Sequence, residues 1–385
     1  AKVNLNKVYL SLGSNLGDKI KNLQSAINLI DTNIGDVLSI SNVYQTKSEG
    51  FKGDDFFNCC ICIVTNLSPN FLLDKILEIE LIEGRIRSSS NGYESRLIDI
   101  DILLYEDRII NENNLSIPHP RMHLRNFVLY PLSEIAKSKI HPKCNDTIGN
   151  LLNKLESTEI LKCDKELMLP VLSKLQLFKN IVIEGNIGVG KTSLSKKLSN
   201  DLNKELIIEG FMDNPFLEKY YNNPERYALN VELTFLTDRC RQLNNFNNQM
   251  NFFSSGIIAD YDIFKSLVFA GVSLNEIDFN LFRNIFYFMT KDLFKSDLVI
   301  YLIQSSDQLL KNISKRGRSF EKTISRNYLD KINTAYLKHI KTNSDLNVVY
   351  IDVSDLDFVE SDQDYMKLLF RIKNTLTKSF KELPY

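Results

Sequence analysis

Residues 180–192 read NIVIEGNIGVGKT, a short apolar run that passes directly into a glycine-rich turn. The last eight of these residues satisfy the pattern G-x-x-x-x-G-K-S/T, and the helical run SLSKKLSNDL follows them. Glycine permits backbone conformations that are closed to other residues, so successive N–H groups can turn inward around a phosphate. The sequence therefore predicts a nucleotide site, with the lysine charge near the terminal phosphates and the threonine hydroxyl on Mg²⁺. Its expected members are Gly185, Asn186, Gly188, Gly190, Lys191 and Thr192.

The length of the chain and the pattern before this loop indicate a separate first domain. The chain has 385 residues, whereas most domains contain about 100–200. Long strand candidates alternate with two helices, which predicts an α+β layer with antiparallel pairing. These candidates are strands near residues 8–12, 37–46, 58–66 and 98–105, a helix capped by Asp18, and a helix over residues 69–83.

After the loop, short apolar strands near residues 256–260, 298–303 and 348–351 are separated by helical patterns. This alternation predicts an α/β domain with a parallel sheet covered on both faces. Between the two halves, residues 148–177 are helical in pattern, with Pro170 as a breaker. We therefore expect a boundary between residues 160 and 178, and domains at residues 1–165 and 178–385.

Composition excludes several classes of protein. Hydrophobic residues make up 43% of the chain and charged residues 25%, which is typical of a globular protein and excludes a mainly disordered or fibrous one. The net charge of −1 gives no field that would attract nucleic acid or an anionic membrane. No apolar run reaches the roughly 20 residues of a membrane span, and the first residues lack the pattern of a secretory leader. We expect a cytosolic protein that acts on small molecules.

Charged residues downstream of the loop are candidates for an acceptor site. Glu209 closes the apolar run ELIIE, where a parallel strand would carry it to the sheet edge that holds the loop. A carboxylate there can take the proton from an acceptor hydroxyl, although on this run alone a solvated strand-end glutamate is equally plausible. Arg239 follows Glu232 by seven residues, so both lie on one helical face. The remaining candidates are Asp260 in GIIAD and the basic pair Arg316 and Arg318 in SKRGRSFE.

Five segments of the second half carry a family pattern: GNIGVGKT, EGFMDNPFLEKYY, NPERYALNVELTFLTDRCRQL, KRGRSFE and YLDKINTAY. With them, residues 179 to about 375 resemble the deoxyribonucleoside kinase family. The resemblance implies a P-loop kinase in which Glu209 is the general base on the deoxyribose 5′-hydroxyl and Arg239 supports it. It also implies that the KRGR segment covers ATP and that a homodimer forms through helices of this half.

Two positions depart from that family's pattern. Its common D/E-R-S segment reads Asp260–Tyr261–Asp262, which places a tyrosine where an arginine is expected. The glutamine that reads the base in many members is Glu232 here. An ionised carboxylate only accepts hydrogen bonds, so it favours guanine, whose N1–H and N2 amino group are two adjacent donors, over adenine or cytosine. The second departure therefore predicts a preference for deoxyguanosine.

Two carboxylates form the main constellation of the first half. Asp99 and Asp101 alternate with isoleucines in RLIDIDILLYED, so on a strand both carboxylates point to one face, about 6–7 Å apart. Two hard oxygen ligands at that separation suit Mg²⁺, especially if a nucleotide supplies other ligands. An exposed polar strand face is the alternative, but nearby basic residues favour pyrophosphate chemistry. These are Arg85, Arg87, Arg96, His119, Arg121 and Arg125.

The segments YLSLGSNLGD, YQTKSEG, FFNCC, ELIEGRIR, SRLIDIDILLY and IPHPRMHLRNFVLYPL extend this pattern over residues 5–150. They resemble the 6-hydroxymethyl-7,8-dihydropterin pyrophosphokinase family of the folate pathway. The resemblance implies a ferredoxin-like fold in which Asp99 and Asp101 hold two Mg²⁺ that bridge the ATP phosphates. It places the pterin against Thr46, Asn58 and Phe127. It surrounds the triphosphate with Arg85, Arg87, Arg96, His119 and Arg125, among which Arg96 and His119 take part in the transfer, and it makes residues 88–95 a mobile lid.

Together these patterns predict two ATP-dependent kinases in one chain. The first would transfer a diphosphoryl group from ATP to a hydroxymethyl-dihydropterin and release AMP. The second would transfer the γ-phosphoryl group of ATP to the 5′-hydroxyl of a deoxynucleoside. The alternative keeps the first activity and makes the second half a nucleotide-binding regulatory or dimerisation module, which the tyrosine at position 261 favours.

Overall fold

The chain divides into two units, Ala1–Ser173 and Lys174–Tyr385. A computed structural model describes residues 5–47, 53–84, 97–156, 160–210, 214–249, 256–293, 295–318 and 321–381. Each unit is built on its own sheet, antiparallel in the first and parallel in the second. None of the helices in the described residues combines the length and apolar character that a bilayer crossing requires.

The first unit has a six-stranded sheet in the order β10-β3-β4-β1-β5, with β2 also paired to β4. Its elements are β1 (Asn6–Ser14), α1 (Lys19–Asn33), β2 (Asp36–Ile40), β3 (Tyr44–Thr46), β4 (Phe56–Thr65), α2 (Pro69–Ile82), β5 (Asp99–Tyr105), β6 (Ile110–Glu112), β7 (Leu115–Ile117), a 3₁₀ turn (Met122–Leu124), α3 (Asn126–Ala136), β8 (Ile140–His141), β9 (Asp146–Thr147), α4 (Ile148–Lys154) and β10 (Leu161–Lys162). A further helix, α5 (Pro170–Leu175), spans the boundary between the units.

Alternation along the long strands separates two apolar cores in the first unit. Leu10 and Leu12 of β1 belong to the core that α1 and α2 cover. Tyr9 points to the opposite face, against α3 and α4. Asp18 caps α1 as the sequence predicts, since its carboxylate accepts the N–H of Lys21 at 3.1 Å. The face under α3 is the one that carries the polar residues of β1, β4 and β5.

The segment before the second unit differs from the sequence-based expectation of a helix broken at Pro170. The helix α4 ends at Lys154, β10 pairs with β3, and a new helix begins at Pro170. Proline suits the first turn of a helix because no intrahelical bond requires its N–H there. Pro170 therefore starts a helix, and residues 148–177 do not form one continuous helical segment.

The second unit has a five-stranded parallel sheet in the order β12-β13-β11-β14-β15. Its elements are β11 (Asn180–Gly185), α6 (Lys191–Leu202), β12 (Glu205–Ile207), α7 (Leu217–Asn222), α8 (Pro224–Gln249), β13 (Ile257–Ala259), α9 (Lys265–Ser273), α10 (Glu276–Thr290), β14 (Leu298–Ile303), α11 (Ser306–Arg316), α12 (Arg326–Thr342), β15 (Val348–Asp352) and α13 (Asp362–Lys381). The parallel sheet that the strand–helix alternation predicts is therefore confirmed.

The central strand β11 is buried along its whole length, and β13 and β14 flank it. Because parallel strands end at one edge of a sheet, the segments after β11, β12 and β13 meet there. These segments carry the phosphate loop, Glu209 and Asp260. The fold therefore brings the donor and acceptor candidates of the second unit to one edge.

A glycine joins three strands of this sheet at the opposite edge. Gly256 has a φ of +107°, and its carbonyl accepts the N–H of Glu205 at 3.1 Å. The following N–H, of Ile257, donates to the carbonyl of Lys179 at 2.9 Å. A Cβ at position 256 would lie 1.9 Å from that carbonyl oxygen. Only glycine fits this position without moving the start of β13.

We expect Gly256→Ala to lower the free energy of unfolding of the second unit by more than about 2 kcal/mol, since a strained φ and a backbone clash add. Gly271→Ala is the matched control, because its Cβ would meet nothing closer than the Phe279 ring at 3.6 Å and alanine favours the helix α9. Urea denaturation of both variants measures the difference. Equal midpoints would contradict the steric argument.

Candidate functional sites

One row of residues crosses the antiparallel sheet of the first unit. Tyr44 of β3 lies opposite Asn58 of β4, Asn58 lies opposite Gly13 of β1, and Gly13 lies opposite Asp99 of β5. Residues directly opposite each other point to the same face of a sheet. The amide predicted to bind the pterin and the first predicted metal carboxylate therefore share a face, two strand spacings or about 10 Å apart.

The two aspartates of β5 have the alternation that the sequence predicts. Asp99 and Asp101 are half-buried, whereas Ile100 and Ile102 between and after them are buried in the core under α1 and α2. Both residues interact with neighbouring groups. They lie two residues apart on the polar face of the strand, and their role as metal ligands stays a prediction.

Sequence reasoning missed the glycine in the middle of this row. The amide of Asn58 donates to the hydroxyl of Thr46 at 2.9 Å, which fixes its orientation. A Cβ at Gly13 would lie 3.0 Å from the amide oxygen of Asn58. Gly13 thus leaves the space beside the amide and between it and Asp99 open. The available signal was the glycine in the motif SLGSN, directly after the apolar run of residues 8–12.

Basic and aromatic residues follow β5 on the same unit. Burial, together with the charges of Arg125 and Arg121, lowers the pKa of His119 to about 4, so its imidazole is neutral at pH 7. Its Nδ1 accepts the N–H of Arg121 at 3.2 Å, which leaves the ring proton on Nε2 as a donor. The guanidinium of Arg125 lies 5.3 Å from the ring centre of Phe127. Three other predicted phosphate ligands, Arg85, Arg87 and Arg96, lie outside the described residues, as does the segment 88–95.

In the second unit a cavity of about 920 Å³ opens at the carboxyl edge of the parallel sheet. Its walls include the phosphate loop, α8, α9, α11 and residues 354–360. The predicted site residues that line it are Gly188, Gly190, Lys191, Thr192, Glu232, Arg239, Asp260, Arg316 and Arg318. The volume is that of a small-molecule site, and it extends from the phosphate loop to the middle of α8.

The phosphate loop has the backbone that its glycines predict. Gly188 and Gly190 have φ values of +85° and +102°, and a Cβ on Gly190 would lie 2.6 Å from the Phe358 ring. The ammonium of Lys191 donates to the carbonyls of Gly185 at 2.8 Å and Asn186 at 3.0 Å. Burial and the nearby Lys265 charge lower the pKa of Lys191 to about 8. An anionic ligand would relieve this cost.

Asn186 serves a purpose that the motif does not reveal. Its side-chain amide donates to the carbonyl of Leu329 and to the side chain of Asn333, both at 2.8 Å. Its amide oxygen accepts the N–H of Ile187 at 2.8 Å. The side chain therefore anchors the loop to α12, and only its backbone is left for a phosphate.

Glu209, the predicted general base, is held between two cations. Nε of Arg239 donates to Oε1 at 2.8 Å, a second guanidinium nitrogen contacts the same oxygen, and the ammonium of Lys265 contacts Oε2. All three side chains are at most 5% exposed. Burial alone would raise the pKa of Glu209, but Arg239 and then Lys265 outweigh it and lower the pKa to about 2. Sequence reasoning did not identify Lys265.

The position where the resemblance implies an arginine is occupied by a buried tyrosine that points elsewhere. The hydroxyl of Tyr261 donates to the side chain of Gln242 at 2.6 Å, and Gln242 donates to the carbonyl of Ile208 at 2.9 Å. Tyr261 therefore braces α8 against the segment before Glu209. It does not supply a charge to the site.

Glu232 on α8 is buried against the cavity with only 4% of its surface exposed. Burial raises its pKa to about 7, although Arg239 and the Ser273 hydroxyl act against this shift. Its Oε2 is buried and has no hydrogen-bond partner among the described residues. An acceptor left without a donor in a cavity wall is a position for a ligand group.

The two arginines of the KRGR segment, Arg316 and Arg318, both interact with one acidic residue, Glu321. Arg316 donates from Nε to Glu321 at 3.1 Å, and Arg318 donates to the same carboxylate at 3.4 Å. Glu321 is buried, whereas both arginines are about one-third exposed. The acid therefore sets the direction of two guanidinium groups that face the cavity.

A second cluster of metal-ligating residue types lies in the first unit. Atoms of His123, His141 and Cys144 lie within 4.8 Å of one another. Nδ1 of His141 already accepts the N–H groups of Lys143 at 3.3 Å and Cys144 at 3.1 Å, so its ring proton is on Nε2. The Nε2–H of His141 and Nδ1 of His123 are buried and have no hydrogen-bond partner among the described residues. The turn that holds His141 is therefore hydrogen-bonded through Nδ1, whereas these two ring nitrogens are not.

Family models match both units. The model described as 7,8-dihydro-6-hydroxymethylpterin-pyrophosphokinase matches residues 9–137, and the model described as deoxynucleoside kinase matches residues 181–377. The 2-amino-4-hydroxy-6-hydroxymethyldihydropteridine pyrophosphokinase of Synechocystis sp. is 37% identical over 152 residues, which cover 39% of this chain and 77% of that protein. The deoxyguanosine kinase of Bacillus subtilis is 34% identical over 200 residues, which cover 51% of this chain and 97% of that protein. A solved structure of deoxyadenosine kinase from M. mycoides is 27% identical, covers 52% of this chain and 99% of that one, and has a TM-score of 0.43.

Each half is thus an ATP-using kinase of known type. The chain belongs to the pterin pyrophosphokinase family through its first unit and to the deoxynucleoside kinase family through its second. It is a bifunctional enzyme that joins a kinase of folate biosynthesis to a deoxynucleoside kinase, and the fusion that the sequence motifs predict is confirmed.

We expect Lys191→Met to abolish deoxynucleoside phosphorylation and to leave pterin pyrophosphorylation unchanged, because the lysine serves only the phosphate loop of the second unit. Formation of ADP and of AMP reports the two reactions separately. Lys196→Met, on the exposed side of the same helix, is the control and should change neither rate. Loss of AMP formation in a folded Lys191→Met protein would show that the two halves share a nucleotide site.

Proposed function

We propose that the first unit transfers the diphosphoryl group of ATP to 6-hydroxymethyl-7,8-dihydropterin through the polar face of β1, β4 and β5. The observation that carries this assignment is the row from Asn58 through Gly13 to Asp99. Asn58, held by Thr46, offers an oriented amide to the pterin edge, and Phe127 offers a ring face for stacking. The strand order is that of a split βαβ layer, which supports a ferredoxin-like fold.

Asp99 and Asp101 fit Mg²⁺ by the chemistry of their donors, two carboxylates on one strand face. Bound there, Mg²⁺ would neutralise charge on the phosphates and orient them. Neutral His119 would donate from Nε2 to a phosphate oxygen, and Arg125 would add a fixed positive charge beside Phe127. Arg85, Arg87 and Arg96 are proposed for the same triphosphate from the family pattern alone. Positioning by these groups, without a protein base, would supply most of the rate enhancement.

We expect Asp99→Asn and Asp101→Asn each to reduce pterin pyrophosphorylation by at least about a hundredfold, because each removes a negative ligand from the metal site. Deoxynucleoside phosphorylation should stay within about twofold of the wild type. Asp107→Asn is the control, since its exposed carboxylate pairs with Lys139 at the end of the same strand. Unchanged pyrophosphorylation in either strand variant would remove these aspartates from the site.

We propose that the second unit transfers the γ-phosphoryl group of ATP to the 5′-hydroxyl of a deoxynucleoside. Asp260, which lines the cavity, hydrogen-bonds both to Thr192 of the phosphate loop and to the backbone of the buried Glu209, and this connection carries the assignment. Lys191 and the arginines 316 and 318 would bind ATP phosphates, and the Thr192 hydroxyl would serve Mg²⁺. Turnover of a panel of deoxynucleosides with ATP tests this function directly. No ADP formation with any deoxynucleoside would favour a regulatory or dimerisation module instead.

We further propose that Glu232 selects guanine. Glu232 lines the cavity at mid-helix, seven residues before Arg239, and its buried Oε2 has no hydrogen-bond partner among the described residues, so this is where the base of a nucleoside would lie. The ionised carboxylate can take both N1–H and the N2 amino group of guanine, whereas adenine and cytosine each present one donor beside an acceptor. Burying an acceptor against an acceptor typically costs about 1–3 kcal/mol. The similarity to a deoxyguanosine kinase supports the same choice.

We expect kcat/KM for deoxyguanosine to exceed that for deoxyadenosine by about ten- to a hundredfold. The ratio should grow as the pH rises through about 7, because Glu232 is protonated, and can donate as well as accept, below that pKa. Glu232→Gln, whose amide has the same mixed character at every pH, is the matched variant and should show a smaller ratio without this pH dependence. A wild-type preference for deoxyadenosine, or the same ratio in both proteins, would remove Glu232 as the base reader.

We also propose a homodimer through the second unit. Ile277, Leu281 and Phe288 on α10 are 82%, 51% and 74% exposed and recur on one side of the helix. An apolar stripe of this kind on a helix is typical of a subunit interface. Sedimentation velocity of the wild type and of Phe288→Glu distinguishes a dimer from a monomer.

A further inference from the structure

The carboxylate of Glu209 is screened from the cavity in the ligand-free protein. Arg239 and Lys265 are among the residues that line the cavity, whereas Glu209 is not among the described lining residues. Each of its two oxygens is occupied by a cation, Oε1 by Arg239 and Oε2 by Lys265. The Glu209 side chain is only 3% exposed, so a 5′-hydroxyl in the cavity can reach it only if one of the side chains that cover it moves.

The two cations are held differently. Arg239 makes two contacts to Oε1, and its third nitrogen donates to the hydroxyl of Ser266 at 2.7 Å. Lys265 makes one contact to Oε2 from the end of a flexible four-carbon stem, and its ammonium also lies 5.4 Å from the ring centre of Phe269. Oε2 is thus the oxygen that a hydroxyl can take, and Lys265 is the group that can move.

The ammonium also lies on the phosphate side of the cavity. Lys265 lines the same cavity as Lys191 of the phosphate loop. After burial, the charge of Lys265 is the largest cause of the lowered pKa of Lys191. Two like charges in a buried site are unfavourable until an anion lies between or beside them. A γ-phosphoryl group supplies such an anion at the point where the donor and acceptor sides meet.

We propose that Lys265 is a catalytic residue of the second unit. Before the nucleoside binds, Lys265 holds Glu209, and when the nucleoside 5′-hydroxyl binds Oε2 of Glu209, Lys265 moves to an oxygen of the transferred phosphoryl group. This role presupposes the deoxynucleoside kinase activity proposed above. In the step, Oε2 takes the hydroxyl proton, the bond from O5′ to the γ-phosphorus forms, and the bond from that phosphorus to the β,γ-bridging oxygen breaks. ADP carries away the electron pair of the broken bond, and Lys265 keeps its proton.

The role also accounts for the missing arginine of the segment Asp260–Tyr261–Asp262. Tyr261 points to Gln242 and brings no charge to Glu209. Lys265, one turn further along at the start of α9, supplies the second positive charge instead. Lys265 thus supplies beside Glu209 the positive charge that Tyr261 does not.

Several ionisable groups face Glu209 and would contribute to its titration. They are Arg239 and Glu232 of α8, Lys265 of α9, Lys191 of α6, Tyr336 of α12, and Asp260 and Tyr261 after β13. Two carboxyl groups of the site have a pKa of about 7: Glu232, and Glu184 of β11, whose pKa burial raises against the charge of Lys265. A pH profile that reports Glu209 therefore needs a background with both Glu184→Gln and Glu232→Gln, with deoxyadenosine as the acceptor.

In that background we expect Lys265→Met to lower kcat by about a hundredfold at constant KM for ATP, as the loss of a charge on the transferred group would. The acidic limb of the pH profile of kcat/KM should also move to clearly higher pH. Without Lys265, only Arg239 opposes the effect of burial, so the pKa of Glu209 rises. Lys265→Arg keeps the charge and should recover most of kcat and the original limb. Lys204→Met removes a lysine equally buried but away from the cavity, and it should change neither quantity.

Urea denaturation reports whether the second unit of each variant is folded, since both units bind ATP and nucleotide binding alone would not separate them. If Lys265→Met does not fold, Lys265→Gln carries the same expectation, since it keeps a hydrogen-bond donor without the charge. A folded neutral variant with wild-type kcat and an unmoved acidic limb overturns the role of Lys265. Absence of deoxynucleoside phosphorylation in the wild type would instead refute the activity itself, so the two failures are distinguishable.

Discussion

The carboxylate of Asp260 connects the two sides of the second site. One oxygen accepts the hydroxyl of Thr192 at 2.5 Å, and the other accepts the backbone N–H of Glu209 at 2.8 Å. The phosphate loop follows β11 and Glu209 follows β12, so the strand between them, β13, sets their separation through one buried side chain. The parallel sheet therefore sets the separation of the donor and acceptor segments, and contacts from α8, α9 and α12 then hold Glu209 and the phosphate loop.

Glu209 and Glu232 show how neighbours decide the chemistry of one side chain. Both are at most 5% exposed, and burial alone raises the pKa of a carboxyl group. Two contacting cations reverse that effect at Glu209 and lower its pKa to about 2, whereas Glu232, which no cation of the described residues contacts, has a pKa of about 7. Buried charges are stable only when paired, so one glutamate is suited to the charged chemistry of transfer and the other to reading a ligand.

The sequence predicted the features that depend on local pattern. The phosphate loop, the Asp18 cap, the alternation around Asp99 and the parallel sheet each follow from residue spacing over a few positions. Family resemblance then assigned the two activities, because long motifs such as IPHPRMHLRNFVLYPL are specific.

Features that depend on chain segments meeting in space were missed or misread. Gly13 matters because Asn58 and Asp99 are its partners on either side, and Lys265 matters because α9 returns beside Glu209. Neither position has a motif of its own. The prediction that Pro170 breaks a helix was wrong. Proline can follow the end of one helix or occupy the first turn of the next, and the residues around it do not distinguish these two cases. The fold shows that the helix begins at Pro170.

The most direct test is a single reaction of the intact protein with ATP, the hydroxymethyl-dihydropterin and deoxyguanosine, in which every product is quantified. The account predicts AMP in equal amount to pterin diphosphate and ADP in equal amount to deoxyguanosine 5′-monophosphate, with each pair lost when its own acceptor is omitted. Two results would contradict the assignment of two separate kinases to this chain. One is formation of the phosphorylated deoxynucleoside in equal amount to AMP in place of ADP, and the other is no phosphorylated deoxynucleoside at all.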